Sequence, residues 1–183
     1  MTRTRFLPVL ILSALFAVPM AFADGSAFHP GPVIADYGNV ASIESNQPIP
    51  EGTEFKIRFD VAKQADAGTL NRNLVTAARF LNMHVEAGVP LENIDLAIVI
   101  HGGATHDVTS AAHYGEVSEA AENANAGLVE ALTEKGVRIY VCGQSAAYHD
   151  VSKADLLPGV EMSLSALTAH ALLDDEGYTL NPF

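Results

Sequence analysis

One thiol, one imidazole and one carboxylate stand near the ends of three strand-like segments. Cys142, the only cysteine, closes Val137–Cys142, where Val137, Ile139 and Val141 alternate with Arg138 and Tyr140, the period-two pattern of a strand. His101 follows the apolar run Ile94–Ile100, and Asp60 lies at the end of the alternating segment Glu54–Ala62. In an open parallel sheet, ligands collect outside the carboxyl ends of the strands. If these three strands are parallel, Asp60, His101 and Cys142 surround one crevice, with Gly102, Gly143, Gln144 and Ser145 lining it. A thiol beside a histidine or a helix N-terminus is drawn toward its nucleophilic thiolate form. Cys142 and His101 together fit covalent catalysis, or sulfur relay through a persulfide. The competing reading makes Cys142 a small buried hydrophobe, His101 a strand-end histidine bonded to backbone, and Asp60 a cap or loop residue.

Other chemistries find weaker support. Gly143-Gln144-Ser145-Ala146-Ala147 resembles a nucleophile elbow without its last glycine, and Asp155 and His170 follow in hydrolase order. The chain is short for that fold, and those partners leave no room for the usual extra strands. His106, His113 and His149 lack tight metal spacing, and one cysteine does not build a structural zinc site. Gly102-Gly103 lacks the full glycine pattern of a dinucleotide site. No metal or cofactor is therefore expected.

At the N-terminus, Arg3 and Arg5 precede an apolar run, Phe6–Val18, and Ala21-Phe22-Ala23. This is the layout of a secretory signal peptide, residues 1–23, cleaved after Ala23. The run is too short for a comfortable membrane span, and no later stretch supplies one. Export to the periplasm is the expected route. Without the signal, 160 residues remain, enough for one domain. Eight basic residues then face 22 acidic ones, a net charge of −14 with histidine neutral. Such a surface repels nucleic acid and anionic lipid. A lone cysteine in an oxidising compartment makes no internal disulfide, so it is either shielded or kept as a free thiol.

Residues 24–52, broken by Pro30, Pro32, Pro48 and Pro50, read as an extended arm laid over the domain or over a neighbouring subunit. In Glu54–Ala62, Phe55, Ile57, Phe59 and Val61 share one side. A helix opens at Gly68-Thr69 with Thr69 as N-cap, carries Leu70, Leu74, Ala77, Ala78, Leu81 and Val85, and stops at Gly88 and Pro90. The near-continuous apolar run Ile94–Ile100 suits a central parallel strand covered on both faces. The following twenty or so residues lack periodicity, which points to a functional loop or an irregular helix. A helix resumes near Asn125, and Gly136 stops it before the Cys142 strand. Then come a short helix from Ser145, a turn at Asp155–Pro158, a strand at Val160–Leu164, a helix capped by Ser165 with Leu167, Leu172 and Leu173, and a last strand at Tyr178–Leu180. Alternating strands and helices predict an α/β class: a three-layer α/β/α sandwich on a mainly parallel sheet of about five strands.

Four segments together resemble the DsrE/DsrF-like family: Glu54–Ala62, Leu70–Met83 (Leu-Asn-Arg-Asn, then Ala-Arg-Phe-Leu-Asn-Met), Leu96–Gly103 and Val137–Ser145. His101-Gly102 and Cys142-Gly143-Gln144-Ser145 carry the likeness most specifically. It spans the domain at 53–183 and is closest in kind to exported, single-domain members. The resemblance implies a three-layer fold, assembly as a homo-oligomer (trimer or hexamer), and sulfane sulfur carried on Cys142 with His101 tuning the thiolate. A periplasmic sulfur donor or acceptor protein is then the implied partner. The alternative is a non-catalytic oligomeric module that binds a small ligand or serves structure alone.

Overall fold

The computed structural model describes Gly25 and residues 27–120 and 122–182; the signal peptide expected at 1–23 lies outside the described residues. Five strands form one parallel sheet: β1 (Phe55–Val61), β2 (Ile94–Ile100), β3 (Arg138–Cys142), β4 (Val160–Ser163) and β5 (Thr179–Asn181). Their order is β4-β3-β2-β1-β5, every pair parallel. Five helices connect them: α1 (Arg72–Glu86), α2 (Ala111–Val117), α3 (Ala126–Glu134), α4 (Gly143–Tyr148) and α5 (Ala166–Asp175). Among the described residues, no helix is long and apolar enough to cross a membrane.

Strand alternation divides the core. Phe59, Val61, Leu96, Ile98, Ile100, Ile139 and Val141 face α1 and α3, which deliver Leu74, Leu81, Leu128 and Leu132 to the same cluster. Each fully buried leucine contributes about 1.5–3 kcal/mol of transfer free energy. The opposite face offers Ala97 and Val99 to Ala169 and Leu173 of α5 and to Tyr178. Covered on both sides, β2 is buried at every position but Asp95, as its unbroken apolar run demands.

The start of α1 departs from the sequence expectation. The N-cap of α1 is Asn71, whose side chain accepts the Asn73 N–H at 3.0 Å. Thr69 lies upstream and closes a turn onto the Asp66 carbonyl, and Leu70 is outside the helix and partly exposed. Asn71 takes the cap because a buried polar network fixes it: its amide donates to Asp107 at 2.7 Å, and its N–H reaches Asn125 Oδ1 at 2.6 Å. In α5 the buried face is Ala169 and Leu173, while Leu167 and Leu172 are 83% and 60% exposed. Leu173 lies one turn beyond Ala169, whereas Leu172 is rotated off that stripe. The aperiodic stretch after β2 is the irregular helical segment expected there: a 3-10 run, Gly102–Val108, followed by the short α2.

The arm is not simply extended. His29 and Val40 pair antiparallel, Gly38 turns the chain at φ +71°, and Ile34 and Val40 are buried. Its anchor is Asn82, fully buried in the middle of α1. The Asn82 Oδ1 accepts the N–H groups of Val33 and Ile34 at 3.0 and 2.9 Å. The Asn82 Nδ2 donates to the carbonyls of Ile34, Tyr37 and Gly38. One primary amide thus serves five backbone groups that the helix face could not otherwise satisfy. Asn82→Ala strands them, and the expected cost is about 3 kcal/mol, read as a lower urea midpoint together with new protease cleavage within residues 29–40. A variant within experimental error of wild type in both measurements would contradict this role.

Candidate functional site

The register of the sheet brings the sequence candidates to one edge. Ile100 pairs with Val141, so His101 and Cys142, one residue further on, are neighbours on adjacent strands spaced about 4.8 Å apart. Asp60 pairs with Val99 on the next strand. Asp60, His101 and Cys142 alternate with residues of the α1/α3 cluster, which directs all three toward the α5 side.

Cys142 is the last residue of β3 and the N-cap of α4. It is 6% exposed. Burial pushes the thiol up, but hydrogen bonding from the Ser145 hydroxyl and from the N–H groups of Ser145, Ala166 and Gln144 outweighs it and holds the thiol below its ordinary value. These donors stabilise the thiolate more than the thiol. The Ser145 oxygen itself accepts the Gly102 N–H at 2.9 Å, so β2's exit loop polarises the hydroxyl that serves Cys142.

This crowding depends on glycine. A Cβ at Gly143 would sit 2.7 Å from the Ser163 carbonyl oxygen and 3.2 Å from that of Leu164. Hydrogen there lets the first turn of α4 approach the β4–α5 corner, where Gln144 Nε2 donates to the Leu164 carbonyl at 3.2 Å. That approach brings the Ala166 N–H, in the first turn of α5, onto the sulfur of Cys142. Gly102 has φ +54°, a left-handed conformation that glycine adopts without penalty.

His101 does not approach the chemistry by way of the sulfur. Its Nε2 meets Asp60 at 3.2 Å, and His170 Nε2 meets the same carboxylate at 2.7 Å. Burial pushes the Asp60 carboxyl up, but the bonds from His170 and His101 prevail and hold it below the usual carboxylate range. An ionised carboxylate only accepts, so both histidines present Nε2–H to it, which leaves their Nδ1 atoms as the proton-accepting positions. Asp60 ties the exit of β1 to that of β2 and to α5. Its folded-state stabilisation is therefore complete above the unfolded carboxyl value and lost as pH falls through the lower folded one.

His170 and Ala166 escape sequence reasoning as site residues. His170 is 110 residues from Asp60, and the Ala166 contribution is a backbone N–H that its side chain does not advertise. The elbow-like serine has no hydrolase partners: Ser145 serves Gly102 and Cys142, Asp155 bonds Ser152, and His170 bonds Asp60. Ser145→Ala removes the hydroxyl donor to the thiolate, and the expected result is a thiol shifted upward, with native alkylation at neutral pH several-fold slower than in wild type. Ultraviolet titration of the thiolate checks it; an unmoved midpoint would count against the hydroxyl.

Comparison with known proteins follows this geometry. Among solved structures, a protein of unknown function, MTH1491 from Methanobacterium thermoautotrophicum, superposes with a TM-score of 0.52 at 18% identity, covering 71% of this chain and 100% of its own. The ychN protein from E. coli does so with a TM-score of 0.51 at 17% identity, covering 70% and 99%. At such identities the likeness is one of fold. No curated protein matches by sequence. The sequence pattern of the DsrE/DsrF-like family matches residues 56–182, from β1 through β5, and the chain therefore belongs to the DsrE/DsrF-like family.

Proposed function

We propose that the protein handles sulfane sulfur in the periplasm, as a carrier or sulfurtransferase that works through a persulfide on Cys142. The observation that carries this reading is the place of Cys142, at the end of β3 and the start of α4 beside His101, where the hydroxyl and backbone N–H groups around it hold the thiol below its ordinary value. An inert packing thiol needs no such cradle, because a neutral thiol is a weak acceptor. Family membership is consistent with a sulfur-related role.

In this reading the Cys142 thiolate attacks the outer, zero-valent sulfur of a persulfide, polysulfide or thiosulfate donor. The donor's inner S–S bond breaks, its electron pair leaves with the departing thiolate or sulfite, and Cys142 holds the new S–S bond. An acceptor nucleophile then takes the terminal sulfur and returns the Cys142 thiolate, with no net oxidation. The same donors serve both charged states. His101, the register neighbour of Cys142 with Nε2–H held by Asp60, tunes the thiolate from the adjacent strand end. Export to the periplasm rests on the signal-like residues 1–23, and N-terminal sequencing of the mature protein tests it.

A second reading, a non-catalytic oligomeric module, is favoured by one observation, the low exposure of Cys142. Homo-oligomer formation suits either reading. Leu164 and Leu167, 72% and 83% exposed, flank the Ala166 contact with the thiol and form the apolar surface offered to a neighbouring copy. Intact-mass analysis after incubation with polysulfide or thiosulfate separates the readings. The carrier gains one sulfur atom that reductant removes, and Cys142→Ser gains none. A wild-type protein that takes up no sulfur, and whose thiol resists alkylation until unfolded, belongs to the second class.

A further inference from the structure

Three histidines meet at the end of α4 opposite the thiol. His106 Nε2 lies 3.2 Å from His149 Nδ1, with ring centroids 4.5 Å apart. The His113 ring stacks on His106 at 6.0 Å and 14°. His106 Nδ1 and His113 Nε2 are buried with no hydrogen-bond partner. Among the described residues, no three His, Cys, Asp or Glu side chains converge as metal ligands, so the cluster has to be understood through its protons.

Its position gives those protons a consequence. His106 lies near the end of the 3-10 segment Gly102–Val108, and His149 is the C-cap of α4. The same two segments are already joined at their other ends by the Gly102 N–H on Ser145 Oγ. The helix that begins at Cys142 is thus fastened to the exit of β2 twice, once by a backbone–hydroxyl bond and once by an imidazole pair. The first fastening ignores pH. The second requires one imidazole nitrogen to accept, and two protonated rings have only donors to offer.

We propose that the His106–His149 pair is a proton-sensitive clasp that holds α4 over Cys142 near neutral pH and releases it on acidification. The inference goes beyond the sulfur reading and does not depend on it. Burial holds His106 below its ordinary value, and the neighbouring His149 and His113 add to this. The folded protein therefore binds protons here less readily than the unfolded chain, and the clasp's contribution is complete above the ordinary histidine range and lost as pH falls through the depressed one.

The charged groups around the cluster are engaged elsewhere or exposed. On the 3-10 segment, Asp107 is committed to Asn71 and Ala65. On α4, Tyr148 sets its ring edge-on to His149 at 5.0 Å. Asp155, beside α2, is held by Ser152 and lies within electrostatic reach of His113. Glu116, Asp150 and Lys153, the other charged residues of these elements and their flanks, are exposed.

Amide hydrogen exchange on the whole protein, corrected for intrinsic rates, tests the clasp at about pH 8 and about pH 5.5, either side of the histidine range. The amides of 145–149 are expected to exchange about tenfold faster at the lower pH, while those of β2 hold their protection. His149→Gln, neutral throughout and still able to hydrogen-bond His106, should remove the pH dependence; His106→Asn serves if the first variant does not fold. Equal protection of α4 at both pH values overturns the proposal. So does a loss shared equally by β2, or one that survives in the folded variant.

Discussion

Only hydrogen fits between the first turn of α4 and the carbonyls of Ser163 and Leu164. The arrangement around the thiol depends on that steric limit. A methyl at 143, 2.7 Å from a carbonyl oxygen, would push α4 away from the β4–α5 corner and take the Gln144–Leu164 bond and the Ala166 N–H with it. The side chains at the site are ordinary. Their effect comes from backbone held close enough for amide dipoles to act over short distance in a half-buried setting.

The edge carries its charges in two separate arrangements. Near β1, one carboxylate receives two imidazoles; near α4, imidazoles meet with no carboxylate between them. In the first, despite burial, the bonds from His170 and His101 hold Asp60 below the usual carboxylate range; in the second, burial and the neighbouring imidazoles hold His106 below its ordinary value. Both arrangements sit beside the thiolate donors. The protein's high negative charge adds only a distant, salt-screened background to either.

The parallel sheet, its five strands and the convergence of Asp60, His101 and Cys142 were legible because each rests on a local pattern. Alternation in Phe55–Val61, the unbroken run Ile94–Ile100 and the glycine after Cys142 report burial and turns directly. What escaped depends on distant partners. Asn71 displaced Thr69 as the cap of α1 because Asp107 and Asn125, far along the chain, fix its amide. Nor does hydrophobicity alone say which stripe of α5 meets the sheet; Ala169, small enough for close approach to Ala97 and Val99, marks it. His170 and the Ala166 N–H joined the site only through tertiary contact.

Asn82 also imposes an order on how the molecule forms. The arm it captures is synthesised first, yet the amide that holds it lies 48 residues beyond Ile34. Closing that loop has an entropic cost that the five bonds offset only after α1 has wound and presented Asn82 from its middle. The arm is then a late fastening laid over an already formed helix. Interactions made after the main barrier govern how fast a protein comes apart more than how fast it assembles. The residues that precede the sheet thus act as a latch on the lifetime of the folded state, at the end of the domain furthest in sequence from the thiol.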